Sequence, residues 1–181
     1  MGTNLIDAAP PQTGALQFEG LLGVDGNRYS VDSFERMPIL AVIVTGNACP
    51  TAKAWDAELI KLQRDYSDHG VQLLVVNPNN QYLSPPDTFD RMVQRAADAG
   101  FNFPYVKDEG AVLAKRLGAF VTPQVFLFDA ERRLRYTGRI ADSRRPAAVV
   151  RYDLKMAIDD LVAGRTVEVP STDPFGCALV L

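Results

Sequence analysis

The two cysteines, Cys49 and Cys177, are the residues of this sequence best suited to chemistry. Pro50 directly follows Cys49. Proline is favoured at the first position of a helix because an N–H at that position would have no partner within the helix, so its absence costs nothing. We therefore expect the Cys49 sulfur at a helix N-terminus, where unpaired N–H groups and nearby Lys53 lower the pKa of the thiol below its usual value of about 8.5. A thiolate attacks disulfides and peroxides, so Cys49 is a candidate nucleophile. A single cysteine is also commonly a small buried apolar side chain, and that interpretation stays open.

Composition excludes several other kinds of site and partner. The chain has 181 residues, of which 47% are hydrophobic, and this length suits a single domain. Its 19 basic and 22 acidic residues give a net charge of −3, without the positive excess of a protein that binds nucleic acid or an anionic membrane. Two cysteines and one histidine are too few for a zinc site of four cysteines, for one of two cysteines and two histidines, or for a disulfide scaffold. We expect no metal, no cofactor, no nucleic-acid partner and no membrane partner.

Hydrophobic periodicity predicts an α/β domain with a largely parallel sheet. Segments with apolar residues on both faces indicate central strands, and segments with an apolar stripe indicate helices. The predicted elements are a hairpin over 17–31, a strand over 38–45, a helix of about twenty residues from Pro50 to Gly70, a strand over 71–77, a helix capped by Asp87, a strand over 103–106, a helix over 111–117, a hairpin over 125–137 and a helix over 146–163.

The same pattern predicts the limits of the domain. It spans 17–164, between an N-terminal tail at 1–16 and a C-terminal tail at 165–181 that carries Cys177. The first twenty residues lack the basic and apolar regions of a signal peptide, and the longest apolar run is far shorter than the ~20 residues that cross a bilayer. We expect a soluble, cytoplasmic protein, although an exported form without its signal would look the same.

Five segments, in this order, resemble the thioredoxin-like redoxin family, which is grouped with the alkyl hydroperoxide reductase and thiol-specific antioxidant proteins. The segments are VTGNACPTAK (44–53), FPYVKDE (103–109), AFVTPQVFLFD (119–129), LRYTGRI (134–140) and GC (176–177). The resemblance covers roughly 17–178. It implies a thioredoxin fold with an N-terminal β-hairpin, a strand-helix insertion at about 78–107, and a mixed central sheet flanked by helices.

The resemblance also implies roles for particular residues. Cys49 matches the family's nucleophilic cysteine. Thr122 and Pro123 match the Thr-Pro pair whose peptide bond is cis and whose backbone lies against the active-site sulfur. Arg139 is a weaker candidate, because it could polarise a peroxide or stabilise the thiolate but could equally be a surface charge.

Two positions depart from the patterns of the related enzymes. Ala52 stands where a dithiol thioredoxin has the second cysteine of Cys-x-x-Cys, so no adjacent thiol can resolve a mixed disulfide. Gly46 stands three residues before Cys49, where peroxiredoxins have a threonine, and the threonine here is one position earlier, at Thr45. The first departure argues against ordinary thioredoxin turnover, and the second against ordinary peroxidase chemistry.

Cys177 is the one other thiol that could complete a redox cycle, and it lies in a tail for which we predict no regular structure. Our hypothesis is that it resolves a sulfenic acid or mixed disulfide on Cys49, within one chain or across a homodimer. A flexible segment at 170–176 would permit the approach. An incidental thiol or a structural disulfide is the alternative.

The sequence thus predicts a thiol-based redox protein that acts through Cys49, as a thiol-disulfide oxidoreductase or as a thiol peroxidase. Its substrate would be a disulfide or a peroxide, and its reductant an external thiol such as thioredoxin. The alternative is a non-catalytic thioredoxin-fold module with an inert Cys49, which binds partner segments in the groove beside Pro123.

Overall fold

The structure, a computed structural model, describes residues 14–181, and its central feature is a seven-stranded mixed sheet. The order across this sheet is β2-β1-β5-β4-β3-β7-β8, while β6 and β9 form a separate two-stranded sheet. The strands are β1 (Leu21–Gly23), β2 (Arg28–Tyr29), β3 (Ile39–Val44), β4 (Val71–Asn77), β5 (Tyr105–Lys107), β6 (Val121–Thr122), β7 (Gln124–Phe128), β8 (Leu134–Gly138) and β9 (Cys177–Ala178).

The part of the chain that the structure describes also contains five α-helices. Strands β3, β4 and β5 are parallel to one another, whereas β7 is antiparallel to its neighbours β3 and β8, and β1 is antiparallel to β5. The sheet is therefore mixed, as the resemblance implied, and not largely parallel, as the periodicity predicted. The helices are α1 (Pro50–Lys53), α2 (Asp56–Tyr66), α3 (Phe89–Ala99), α4 (Val112–Leu117) and α5 (Asp153–Val162). No helix among the described residues is long and apolar enough to cross a membrane.

Strand β3 lies in the middle of the sheet and is buried on both faces, as its unbroken apolar run predicts. Its alternate residues Ile39, Ala41 and Ile43 belong to a core that includes residues of α2, α3 and α5. Its other residues belong to a second core, to which α4 contributes Leu113 and Leu117. The strand that leads to Cys49 is therefore fixed from both sides.

The long helix predicted after Cys49 is broken into two, which corrects that expectation. The break occurs at Trp55, whose N–H bonds to the Ala52 carbonyl in the tighter i→i−3 pattern instead of continuing the α-helical one. Trp55 is 1% exposed and packs in the core that includes residues of α2, α3 and α5. The kink brings α2 against the sheet and leaves α1 as a single turn.

The last helix begins at Asp153, later than predicted, so the expected start at Pro146 is wrong. The backbone N–H of Val150 bonds to the Asp142 side chain, and the Asp142 N–H bonds to the Arg151 carbonyl. These bonds hold the segment before α5 as a loop, and they leave Val150 91% exposed where a helix would have placed it toward the core.

The C-terminal tail has regular structure, contrary to our expectation. Its Cys177–Ala178 segment is β9, and its backbone also bonds to β8, where the Thr172 N–H donates to the Thr137 carbonyl. The predicted N-terminal tail at 1–16 lies mostly outside the described residues. The domain limits of 17 and 164 stay predictions.

Candidate active site

Cys49 is the N-cap of α1, at the point where the chain leaves β3, and Pro50 is the first helical residue. Its Sγ accepts a hydrogen bond from the backbone N–H of Ala52 at 3.3 Å. We expected the N-terminus of a long helix to stabilise the thiolate, but α1 is only four residues long. The stabilising group of the helix is therefore the single N–H of Ala52. Cys49 is 2% exposed.

The second cysteine lies directly against the first. The Cys49 and Cys177 sulfurs are 2.7 Å apart, and both thiols are free. Cys177 is placed by backbone pairing, because β9 runs antiparallel to β6 with Cys177 opposite Thr122. The Thr122–Pro123 peptide bond is cis, and the Cys49 thiol donates to the Thr122 carbonyl oxygen at 3.1 Å. The fold thus brings together four of the five residues that we singled out.

The surroundings separate the pKa values of the two thiols. Burial raises the pKa of Cys49, but hydrogen bonds from the side chains of Cys177 and Thr122 and from the Ala52 N–H outweigh it and hold the pKa below its ordinary value. Burial and the neighbouring Cys49 thiolate raise the pKa of Cys177 above its ordinary value. Lys53, which we expected to assist, is absent from the main influences on Cys49. Cys49 is therefore the thiol that ionises first.

This description predicts an effect of the Cys177 side chain on Cys49. In Cys177→Ser a hydroxyl can still donate to the Cys49 sulfur, whereas in Cys177→Ala this side-chain donor is lost, so the pKa of Cys49 should be higher in the alanine variant. Titration of the thiolate absorbance near 240 nm in both variants shows which of them has the higher pKa of Cys49. Equal values, or a lower value in the alanine variant, would contradict the assigned hydrogen bond.

Gly176 permits the close approach of the tail to the active site. A Cβ at this position would overlap the carbonyl oxygen of Thr122 and lie 3.2 Å from the backbone nitrogen of Pro123. The contacts are with backbone and not with the end of a flexible side chain. Any residue larger than glycine would therefore force β9 away from β6.

Polar loop residues fix the far end of the tail. The Leu179 N–H donates to the Phe120 carbonyl, and the Val180 N–H donates to the side chain of Asn79 at 3.0 Å. The Asn80 N–H in turn donates to the Val180 carbonyl. Together with the bond from the Thr172 N–H to β8, these bonds hold the tail on both sides of Cys177.

Asp87 joins this anchor to the loop that carries Cys49. Its carboxylate is fully buried and accepts hydrogen bonds from the backbone N–H of Asn47 at 2.6 Å and from the side chains of Asn77, Asn79 and Ser84. We expected this residue to cap the following helix, but Thr88 is the N-cap. One carboxylate therefore positions both the Cys49 loop and the tail.

Removal of the Asp87 carboxylate should destabilise the protein. Asp87→Ala leaves several buried donors without an acceptor, and we expect a loss of about 3 kcal/mol in the free energy of unfolding. Asp90→Ala, at an exposed position, is the control and should cost less than about 1 kcal/mol. Urea denaturation at neutral pH measures both, and equal losses would contradict the role of Asp87.

The same carboxylate makes a prediction about pH. Burial raises the pKa of Asp87, but its hydrogen bonds outweigh this and lower the pKa below the ordinary value. A group whose pKa is lower in the folded state stabilises the fold above its unfolded pKa, and this stabilisation is lost as the pH falls through the folded pKa. The difference between wild type and Asp87→Ala should therefore shrink in acid.

Arg95 holds the turn between β3 and Cys49. Its guanidinium forms a two-point ion pair with Asp56, with the shorter contact at 2.6 Å, and donates to the Gly46 carbonyl and to the Asn47 side chain. The side chains of Arg95 and Asp56 are 8% and 15% exposed. Neither residue contacts the sulfur, so both position the loop.

Arg139, which we singled out from the sequence as a residue that could stabilise the thiolate, pairs with a carboxylate instead. Arg139 forms an ion pair with Asp153 at 2.8 Å, and its backbone is bound by Thr172 and Tyr136. The arginine whose charge acts on Cys177 is Arg144, which lowers the pKa of that thiol, although burial and the neighbouring Cys49 outweigh it.

Comparison with known proteins agrees with this architecture. The chain is similar to the crystal structure of a hypothetical protein from Sinorhizobium meliloti 1021, with 33% identity, a TM-score of 0.84, and coverage of 94% of this chain and 94% of that chain. It is also similar to an uncharacterized conserved protein from Geobacillus kaustophilus, with 31% identity, a TM-score of 0.84, and coverage of 95% and 92%.

A more distant likeness confirms the predicted thioredoxin-like fold. It is to a secreted Mycobacterium tuberculosis disulfide oxidoreductase homologous to E. coli DsbE, at 15% identity, with a TM-score of 0.59 and coverage of 82% of this chain and 96% of that chain. A search of curated proteins gives no significant match. Residues 7–154 match the Redoxin family. The chain therefore belongs to the redoxin family, and its general role is thiol-based redox chemistry.

Proposed function

We propose that this protein is a thiol-disulfide oxidoreductase whose redox couple is Cys49 and Cys177 of one chain. The observation that carries the proposal is the 2.7 Å contact between the two sulfurs. A disulfide bond is about 2.05 Å long, so the sulfurs need to approach by less than about 1 Å to form one. Because β6 and β9 belong to the same chain, the couple needs no second copy of the protein.

The pKa order supports a sequence of two exchange steps. The Cys49 thiolate attacks one sulfur of a substrate disulfide, and the other substrate sulfur leaves as a thiolate. Cys177 then loses its proton and attacks the Cys49 sulfur, which releases the second substrate thiol and forms the Cys49–Cys177 disulfide. Two electrons pass to the substrate, and an external thiol reductant, thioredoxin or a small thiol, returns them.

Attack on a protein substrate requires that β9 move away from Cys49. The Cys49 side chain is almost fully buried, and part of its cover is Cys177. In the reduced protein no covalent bond holds the tail, so opening has to break only hydrogen bonds. These are the two-residue pairing of β9 with β6 and the bonds made by Thr172, Leu179 and Val180. We propose that the reduced tail opens and that the disulfide closes it.

The contacts of Cys49 favour a disulfide over a peroxide as the substrate. Among residues 14–181, its side chain has hydrogen bonds to Ala52, Thr122 and Cys177, and none of these is a cation that could polarise a peroxide. The guanidinium groups of Arg95 and Arg139 are paired with carboxylates. Arg144 takes part in no ion pair among the described residues, but its charge acts on Cys177, which is not the attacking thiol. The lowered pKa of Cys49 also argues against an inert binding module.

Two assays on the same preparation test the proposal. We expect the protein to accelerate the reduction of insulin disulfides by dithiothreitol, and to consume hydrogen peroxide no faster than a Cys49→Ala variant. The opposite pair of results would assign a thiol peroxidase. Absence of both activities would contradict the oxidoreductase and favour the binding module.

A further inference from the structure

An exposed arginine lies over an aromatic ring two residues before Cys177 in the chain. The Arg144 guanidinium carbon is 5.2 Å from the centre of the Phe175 ring, and Phe175 is two residues before Cys177. Stacking of this kind holds a guanidinium in place and leaves its N–H groups free to bind an anion. The feature therefore resembles a small anion site, and its charge also acts on Cys177.

The charge of Arg144 is not neutralised by its surroundings. Within the part of the chain that the structure describes, Arg144 takes part in no ion pair, whereas Arg139 and Arg151 share the carboxylate of Asp153. The carboxylate of Asp142, two residues before Arg144, accepts a hydrogen bond from the backbone N–H of Val150. Arg144 is thus available to a ligand.

The two sulfurs of the couple differ in access. Cys49 is 2% exposed, while Cys177 is only partly buried. Once the disulfide has closed the tail, an external thiolate can reach Cys177 more readily than Cys49. Attack at Cys177 also expels the better leaving group, because the thiol with the lower pKa leaves faster and that thiol is Cys49.

We propose that Arg144 and Phe175 bind the negatively charged group of a small thiol that reduces the Cys49–Cys177 disulfide at Cys177. This inference rests on the proposed function and assigns it a class of reductant. The substrate disulfide reacts at Cys49 in the open, reduced protein, whereas the anionic thiol reacts at Cys177 in the closed, oxidised protein. The two reagents therefore use different sulfurs.

The reduction balances with two molecules of thiol. The first thiolate bonds to the Cys177 sulfur, the bond between Cys177 and Cys49 breaks, and Cys49 leaves as a thiolate. A second thiolate attacks the sulfur of the bound thiol, which leaves as a small disulfide and frees Cys177 to take up a proton. The protein gains two electrons, and the two thiols are oxidised to one disulfide.

The test compares two thiols that differ in charge. The oxidised protein is reduced at low ionic strength by 2-mercaptoethanesulfonate, which is anionic, and by 2-mercaptoethanol, which is neutral, with each rate expressed per thiolate. We expect Arg144→Gln to lower the ratio of the anionic to the neutral rate by about threefold, as one charge at ~6 Å in water would. Arg145→Gln, at the exposed neighbouring position, is the control and should leave the ratio unchanged. An unchanged ratio in Arg144→Gln, or an equal fall in both variants, would overturn the site.

A second readout identifies the sulfur that is attacked. Acid quenching early in the reaction with 2-mercaptoethanesulfonate, followed by peptide mass spectrometry, should find the adduct on Cys177 and a free Cys49. An adduct on Cys49 would contradict the inference. If the oxidised protein contains no Cys49–Cys177 disulfide, the proposed function itself fails; if the disulfide is present but Arg144 does not affect charge preference, only this inference fails.

Discussion

Cys49→Ser is expected to abolish the reduction of protein disulfides, and Cys177→Ser to stop the reaction one step later. The serine at 49 cannot form a nucleophilic thiolate, so the rate should fall by at least about 10³-fold, to the uncatalysed level. In Cys177→Ser the Cys49 thiolate can still attack, but no thiol 2.7 Å away can release it. That variant should accumulate a mixed disulfide with its substrate.

The two variants are compared by insulin reduction and by the mass of the protein after brief exposure to a small disulfide. We expect no adduct at position 49 of Cys49→Ser. We expect one stable adduct per chain on Cys177→Ser. Ser171→Ala, at an exposed position of the tail, is the control and should keep wild-type turnover. Full turnover of Cys177→Ser would show that Cys177 does not resolve Cys49.

Gly176→Ala is expected to uncouple the two cysteines although both are still present. The added methyl group would overlap the Thr122 carbonyl and must displace β9. Misplacement of a reacting group by about 1 Å can cost about 100-fold in rate, and we expect a loss of that order in formation of the Cys49–Cys177 disulfide. The attack of Cys49 on a substrate disulfide should not be slowed, since the tail no longer covers it.

Disulfide formation in this variant is followed by alkylation of the remaining free thiols after a limited dose of oxidant. Ala178→Ser is the matched control, because Ala178 also lies in this part of the tail but its side chain is exposed. We expect that control to form the disulfide at the wild-type rate. A normal rate in Gly176→Ala would mean that the close packing of the tail has no part in the chemistry.

The position of Cys49 could be predicted because it depends on local rules. A buried strand, a short turn and a cysteine before proline are all visible over a dozen residues, and the structure has Cys49 as the N-cap of α1. The cis bond before Pro123 could be predicted only from the resemblance to a family, since an X-Pro bond is cis in about 5% of cases. The break at Trp55 depends on packing against distant strands, which the helical pattern does not contain.

The tail and its anchors could not be predicted because their partners are far away in the sequence. Strand β9 has two residues, too few for any periodicity, and it pairs with β6, which is distant along the chain. Asn79 and Asp87 lie in a segment rich in Asn and Pro, which is typical of an exposed loop. Each of the two can be buried because it is hydrogen-bonded to the other, so neither residue alone indicates the burial.

The central claim is that Cys49 and Cys177 of one chain form the redox couple, and mapping the disulfide in the oxidised protein tests it most directly. The protein is oxidised with a stoichiometric amount of a small disulfide, digested without reduction, and analysed by mass spectrometry alongside non-reducing electrophoresis. The account predicts a monomer in which the peptides that contain Cys49 and Cys177 are joined. A free Cys177 beside an oxidised Cys49, or a disulfide that joins two chains, would contradict it.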